Sequence, residues 1–223
     1  MPSIIRIILI FLGGTAVFAG LPITAWGWGD ITGFAADPAR IGYLAIVVIL
    51  QLYGAYSIPP TRGEGKISIR RQHLAIPLLQ VFSISVVLAG PYCDRRGILL
   101  MWDWEVLRWT GLVLHALGFM IIQRATAVLG AQFSIEVTIQ EGHRLVTGGL
   151  YHHIRHPRYL GIILLMLGIS LVFRSWLAFV FVGAVKLILL WRIGDEERLL
   201  RKEFGPEWDV YAKRTWRLVP YIY

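Results

Sequence analysis

Residues 150–173 read LYHHIRHPRYLGIILLMLGISLVF, so His152, His153, Arg155, His156 and Arg158 crowd around Pro157 against the start of an apolar run. A membrane anchor needs one or two basic residues there; three imidazoles and two guanidiniums suggest a polar ligand as well. Pro157 suits the first helical position, where an amide lacks a partner. Free amides just before it, with Arg155 and His156, would make a seat for a carboxylate or phosphate. The plain alternative, a basic topology signal with an N-terminal proline, accounts for this stretch alone equally well.

A second polar group lies in LWRIGDEERLLRKEFGPEWDVYAKRTWRLVP, residues 190–220. Arg192 and Glu196 are four apart and share a helical face, while Glu197 points about a third of a turn away. On a soluble surface such a pair contributes only a few tenths of a kcal/mol. At the mouth of a membrane bundle, Glu196 could instead accept hydroxyl or ammonium protons and Arg192 hold an anionic group. These two are the candidate catalytic residues. Gly205-Pro206 ends that helix, and Trp208, Tyr211 and Thr215 mark a short helix along the membrane face.

The elements that must position these groups follow from composition. Of 223 residues, 56% are hydrophobic and 16% charged, with mean hydropathy +0.61. That is a membrane composition. Apolar runs of helical length fall at 7–25, 41–57, 74–90 and 106–123, and two shorter ones at 159–173 and 176–193 are separated only by Arg174 and Ser175. The last two, each short for an independent span, read as a tight hairpin. The expected architecture is all-α: a polytopic membrane bundle of about six spans with a polar cap at the cytoplasmic end, which the resemblance described below makes a cofactor-binding cap. Residues 1–129 supply N-terminal spans and 130–223 the connector, hairpin and tail, in one structural unit. The first run is read as a span rather than a cleaved leader.

Of the 22 Lys and Arg, only Arg40, Arg95, Arg96, Arg108 and Arg174 fall on one side, and Lys186 lies within the sixth run. The rest share the side of both termini, which are therefore expected in the cytoplasm. In so apolar a chain the net charge of +8 marks loops rather than nucleic-acid binding. Asp94, Arg95, Arg96, Asp103 and Glu105 read as a solvated loop, and the single Cys93 excludes a disulfide framework. His143 with His152 and His153 lacks carboxylate or cysteine spacing for a metal, so none is expected. His115 and Lys186, ionisable within spans, are candidates for contact with substrate. Ile135, Val137 and Ile139 alternate with polar residues, a strand-like approach to the hairpin.

The hairpin should bring Arg155, His156, Pro157 and Tyr159 beside Arg192, Glu196 and Glu197. Taken together, GHRLVTGGLY at 142–151, RHPRYLG at 155–161, Glu196-Glu197-x-x-Leu200, Phe204-Gly205, Tyr211 and Arg217-x-x-Pro220 resemble the isoprenylcysteine carboxyl methyltransferase family. The likeness covers the C-terminal 40% or so, residues 130–220; the first spans carry no motif. It implies an integral-membrane enzyme that uses S-adenosylmethionine without a soluble nucleotide-binding fold. By the same resemblance His143, Leu145, Val146, Gly149, Tyr151, His156, Tyr159 and Glu196 hold the cofactor, and Arg192 faces the methyl acceptor. Arg155, Pro157 and Glu197 complete the expected cofactor rim. The implied partners are the lipid bilayer and a lipophilic or small acceptor, most simply a prenylcysteine-type carboxylate. Phospholipid N-methylation, thiol S-methylation, an NADPH-dependent sterol-type reductase and a non-catalytic scaffold are the alternatives.

Overall fold

The computed structural model describes residues 4–57, 67–68, 72–130, 138–139 and 144–223. His143, Ile135 and Val137 lie outside the described residues. Helix α1 (Ile4–Thr15) runs through a π-helical turn (Ala16–Gly20) into α2 (Leu21–Trp26), making one apolar rod. The short α3 (Ile31–Ala35) begins where the Asp30 carboxylate accepts the Gly33 amide at 3.1 Å. Next come α4 (Pro38–Ser57), α5 (Gln72–Arg96), α6 (Glu105–Leu129), α7 (Pro157–Val172), α8 (Trp176–Phe204) and α9 (Pro206–Arg214). The described strand pairing is two residues a side, Ile67–Ser68 antiparallel to Thr138–Ile139, so Ile139 does take the extended form its alternation suggests. Among the described residues five helices are long and apolar enough to cross a membrane, and α7 is a shorter apolar helix. This is an integral membrane protein.

The tightest packing joins α6 and α7. Gly111 and Gly118 on one helix face Gly161 and Gly168 on the other, both pairs seven residues apart. A methyl group at Gly118 would lie 2.4 Å from the Leu165 amide nitrogen, and one at Gly168 2.5 Å from that of His115. Without side chains the two backbones touch, the usual way helices associate where lipid offers no hydrophobic drive. Tyr43, Val47, Val86, Ile169, Val172 and Phe173 form the main core. His115 sits inside it, edge-on to Phe18 and Tyr43, with Nδ1 3.3 Å from the Leu165 carbonyl. Lys186 is exposed on the outer face of α8.

Two sequence expectations need correction. The sixth run is not short: α8 has 29 residues, about 44 Å of helix at 1.5 Å per residue. Some 20 of these fill the hydrocarbon layer, so a helix that starts at Trp176 emerges near Glu196 and carries its acidic turn into the polar zone. The apolar periodicity stops at Ile193 because the helix leaves the lipid there, not because it ends. Ser175 caps the start, its hydroxyl accepting the Ala178 amide at 3.1 Å.

Nor is the Asp94–Glu105 stretch a solvated loop throughout. Asp94, at the end of α5, is 8% exposed. Its carboxylate accepts Arg108 at 2.9 and 3.0 Å, Arg40 at 3.2 Å and Arg174 at 3.3 Å. Arg108 also pairs with Asp37 at 2.9 Å and caps α7 through the Val172 carbonyl. Four elements meet at one acidic side chain, deep at the end of the bundle where α7 turns into α8. Charges buried at such a depth survive only when paired. Asp103 and Glu105 do remain exposed.

Candidate functional site

The hairpin brings the N-terminus of α7 against the C-terminal third of α8, at the end of the bundle away from Asp94. Gly149 occupies a left-handed conformation, φ +58°, in a 3-10 turn over 149–152 where a methyl group would press on Val128 at 2.9 Å. Only glycine meets both demands. The turn buries Tyr151, whose carbonyl accepts the Tyr211 hydroxyl from α9 at 2.8 Å. Burial pushes the Tyr211 phenol up to about 12, and burial followed by the Glu196 charge pushes that of Tyr151 upward too. Both stay neutral hydroxyls. Beyond the turn Ile154 pairs with Trp216, and the amides of Arg155 and His156 donate to the carbonyls of Trp216 at 2.7 Å and Arg217 at 3.0 Å. Pro157 then opens α7 as expected.

Those bonds overturn the anion seat anticipated before Pro157. Both amides are taken by the chain's own tail, an arrangement invisible in local sequence because its partner lies sixty-odd positions on. The side chains do converge. His156 is 4% exposed and its ring stacks on Tyr159, centroids 5.6 Å apart and planes 6° apart. The Tyr159 hydroxyl donates to Glu196 Oε2 at 2.9 Å and receives Arg192 Nε at 3.5 Å, the guanidinium lying 5.9 Å from the ring centroid. Arg192 is buried and Glu196 half-buried, so the carboxylate is the accessible member of the trio. His156 Nδ1 lies 3.7 Å from the same Glu196 oxygen.

Arg155 and Glu197 are engaged differently. Arg155 Nε donates to Glu197 Oε1 at 2.8 Å, and its NH1 reaches the Ala212 carbonyl at 2.7 Å and that of Thr215. Glu197 also accepts His156 Nε2 at 3.4 Å and Arg217 at 2.8 and 2.9 Å. They tie the entry to α7, α8, α9 and the tail together. Arg217 was visible only as a motif letter, with no role. Leu145 lines a groove of about 320 Å³ between the connector and α9, with Thr147, His152, Tyr211, Arg214 and Thr215. Val146 is half-buried beside it in sequence.

An accessible carboxylate, a buried guanidinium, a phenol and a stacked imidazole thus form one polar cluster at an end of the apolar helix bundle. Residues 110–202, which build most of it, match the model of the isoprenylcysteine carboxyl methyltransferase family. A probable protein-S-isoprenylcysteine O-methyltransferase of Oryza sativa subsp. indica is 24% identical over 187 residues, 81% of this chain and 96% of that protein. Protein-S-isoprenylcysteine O-methyltransferase B of Arabidopsis thaliana is 31% identical over 115 residues, 50% of this chain and 58% of its own length. A Delta(14)-sterol reductase of Mus musculus is 31% identical over 85 residues, but these are 20% of that protein. Through this site-bearing region the chain is similar to the isoprenylcysteine carboxyl methyltransferase family.

Proposed function

We propose that the protein transfers a methyl group from S-adenosylmethionine to the carboxylate of a prenylated cysteine or a similar lipophilic acid, at the cytoplasmic face. The observation that carries this is the Tyr159 hydroxyl set between buried Arg192 and accessible Glu196, with His156 stacked behind it. The donor set fits the cofactor's chemistry: a carboxylate for an ammonium or ribose hydroxyls, flat rings for an adenosyl group, and tyrosines held neutral. Glu196, His156, Tyr159, Tyr151 and the 145–149 segment would hold it, with His143 added by the family pattern. When bound, the cofactor supplies an electrophilic methyl on sulfur.

The chain's own task is orientation. An acceptor oxygen must stand about 3 Å from the methyl carbon, opposite the leaving sulfur, and most of the rate can come from that placement. A carboxylate is already a nucleophile, so no general base is required. Arg192 fixes the acceptor by charge and by its forked donors. The excess of basic residues at the site-bearing end supports the cytoplasmic orientation. Mass spectrometry of farnesylcysteine-type acids and of a lipid extract, each incubated with the protein and isotope-labelled methyl donor, tests the proposal. Label in the acid's methyl ester is expected. Label only in phospholipid amines or thiols, or NADPH binding without S-adenosylhomocysteine binding, would overturn it.

A further inference from the structure

Glu197 is held from two sides. Its Oε1 receives Arg155 Nε at 2.8 Å and His156 Nε2 at 3.4 Å, and its Oε2 receives Arg217 twice, from Nε at 2.9 Å and NH2 at 2.8 Å. Arg217 is itself steadied by Tyr223, whose hydroxyl accepts its NH1 at 2.8 Å. A carboxylate anchored at both oxygens has one orientation, and as an acceptor it requires that His156 Nε2 carry the hydrogen. In the neutral ring Nδ1 is then a bare lone pair. It faces Glu196 Oε2 at 3.7 Å, too far for a direct hydrogen bond. Two acceptors across such a gap are a receptor for one N–H or O–H group of a ligand, an ammonium or a hydroxyl.

We propose that Arg217, acting through Glu197, is a positioning residue that fixes the tautomer and tilt of His156, so that Nδ1 and Glu196 together receive a hydrogen-bond donor of the bound ligand. Without Arg217, Oε2 loses both its donors. The carboxylate can then rotate toward Arg155 or water and release Nε2. The imidazole would populate both tautomers, and a fraction of sites would present a proton where the ligand presents one as well. A carboxylate that orients a histidine in this manner acts on affinity without touching the ligand.

The identity of the ligand rests on the reading of the protein as an S-adenosylmethionine enzyme; the tautomer does not. The full chain, labelled with nitrogen-15 histidine in detergent, is measured by NMR in mildly alkaline buffer, with a His156→Gln sample to assign the ring. Wild type is expected as the Nε2–H tautomer and Arg217→Gln as a mixture, with Arg217→Lys restoring the wild-type signal. In calorimetry with S-adenosylhomocysteine, Arg217→Gln should bind about tenfold more weakly and Arg217→Lys within about threefold of wild type. Should wild type bind no S-adenosylhomocysteine, the cofactor reading fails while the NMR still decides the positioning role. An Nδ1–H ring or imidazolium in wild type overturns the inference. So does an unchanged tautomer in Arg217→Gln, even if its melting temperature falls, since that marks a strap with structural duty alone. If Arg217→Gln does not fold, Glu197→Gln is read in its place with the same mixture expected. Failure of both to fold assigns the pair to stability and overturns the proposal.

Discussion

Replacing Asp94 with asparagine keeps the volume of the side chain and removes the charge on which Arg40, Arg108 and Arg174 converge. Its carboxyl group accepts four hydrogen bonds from these three guanidiniums, at 2.9 to 3.3 Å, and the side chain is 1% exposed. An amide can accept at one oxygen only and turns its NH2 toward two of the three cations. Breaking a buried pair in this way costs about 3–5 kcal/mol, because Arg40, Arg108 and Arg174 stay buried with only Asp37 and the exposed Asp103 left to pair with. In a chain of this length each kcal/mol shifts the melting temperature by roughly 2–4 °C. A drop on the order of 10 °C is expected for Asp94→Asn in detergent, followed by tryptophan fluorescence. Asp103→Asn is the matched control: its carboxylate also pairs with Arg174 but is 84% exposed, so the loss should stay within about 1 kcal/mol. Cofactor affinity of the Asp94→Asn protein below its transition should lie within about twofold of wild type, since the cluster sits at the opposite end from the site. A melting temperature within about 2 °C of wild type, or equal to that of Asp103→Asn, would refute the reasoning.

Glu196→Gln should weaken S-adenosylhomocysteine binding by about tenfold in calorimetry, since a hydrogen bond to a charged group contributes about 1.5–3 kcal/mol; unchanged affinity would remove Glu196 from the cofactor set. Arg192→Ala should lower turnover far more than cofactor affinity, read as kcat against the dissociation constant of S-adenosylhomocysteine, if its guanidinium steers the acceptor. Gly118→Ala forces a methyl group to 2.4 Å from the Leu165 amide nitrogen and must part α6 from α7, costing about 1–3 kcal/mol or more; a melting temperature several degrees lower is expected, and an unchanged one would mean the helices do not meet as described.

The span pattern and the meeting of four polar side chains were legible in sequence for separate reasons. Lipid forces long apolar runs, so α4, α5 and α6 announce themselves by length. The meeting of His156 and Tyr159 with Arg192 and Glu196 followed from the two-residue turn at Arg174-Ser175, which leaves α7 and α8 no other course. What stayed hidden depends on distant partners. Asp94 reads as a loop residue because its neighbours Arg95 and Arg96 are charged, whereas Arg40, Arg108 and Arg174 come from three other elements. The amides before Pro157 looked open because Trp216 and Arg217 close them from the tail. The contacts by which Arg155 and Glu197 join α9 and the tail were hidden for the same reason, since Ala212 and Arg217 lie far along the chain.

The short pairing of Ile154 with Trp216 also sets an order of events in biosynthesis. The six apolar helices among the described residues can enter the bilayer before the ribosome reaches Trp216, yet the Arg155 and His156 amides leading into α7 lack the Trp216 and Arg217 carbonyls until then. A nascent chain halted ahead of that point would be inserted but would leave the amides of Arg155 and His156 without these carbonyls. The end of the bundle that carries Tyr159 and Glu196 therefore closes in one step, once Trp216 and Arg217 have been made, rather than span by span.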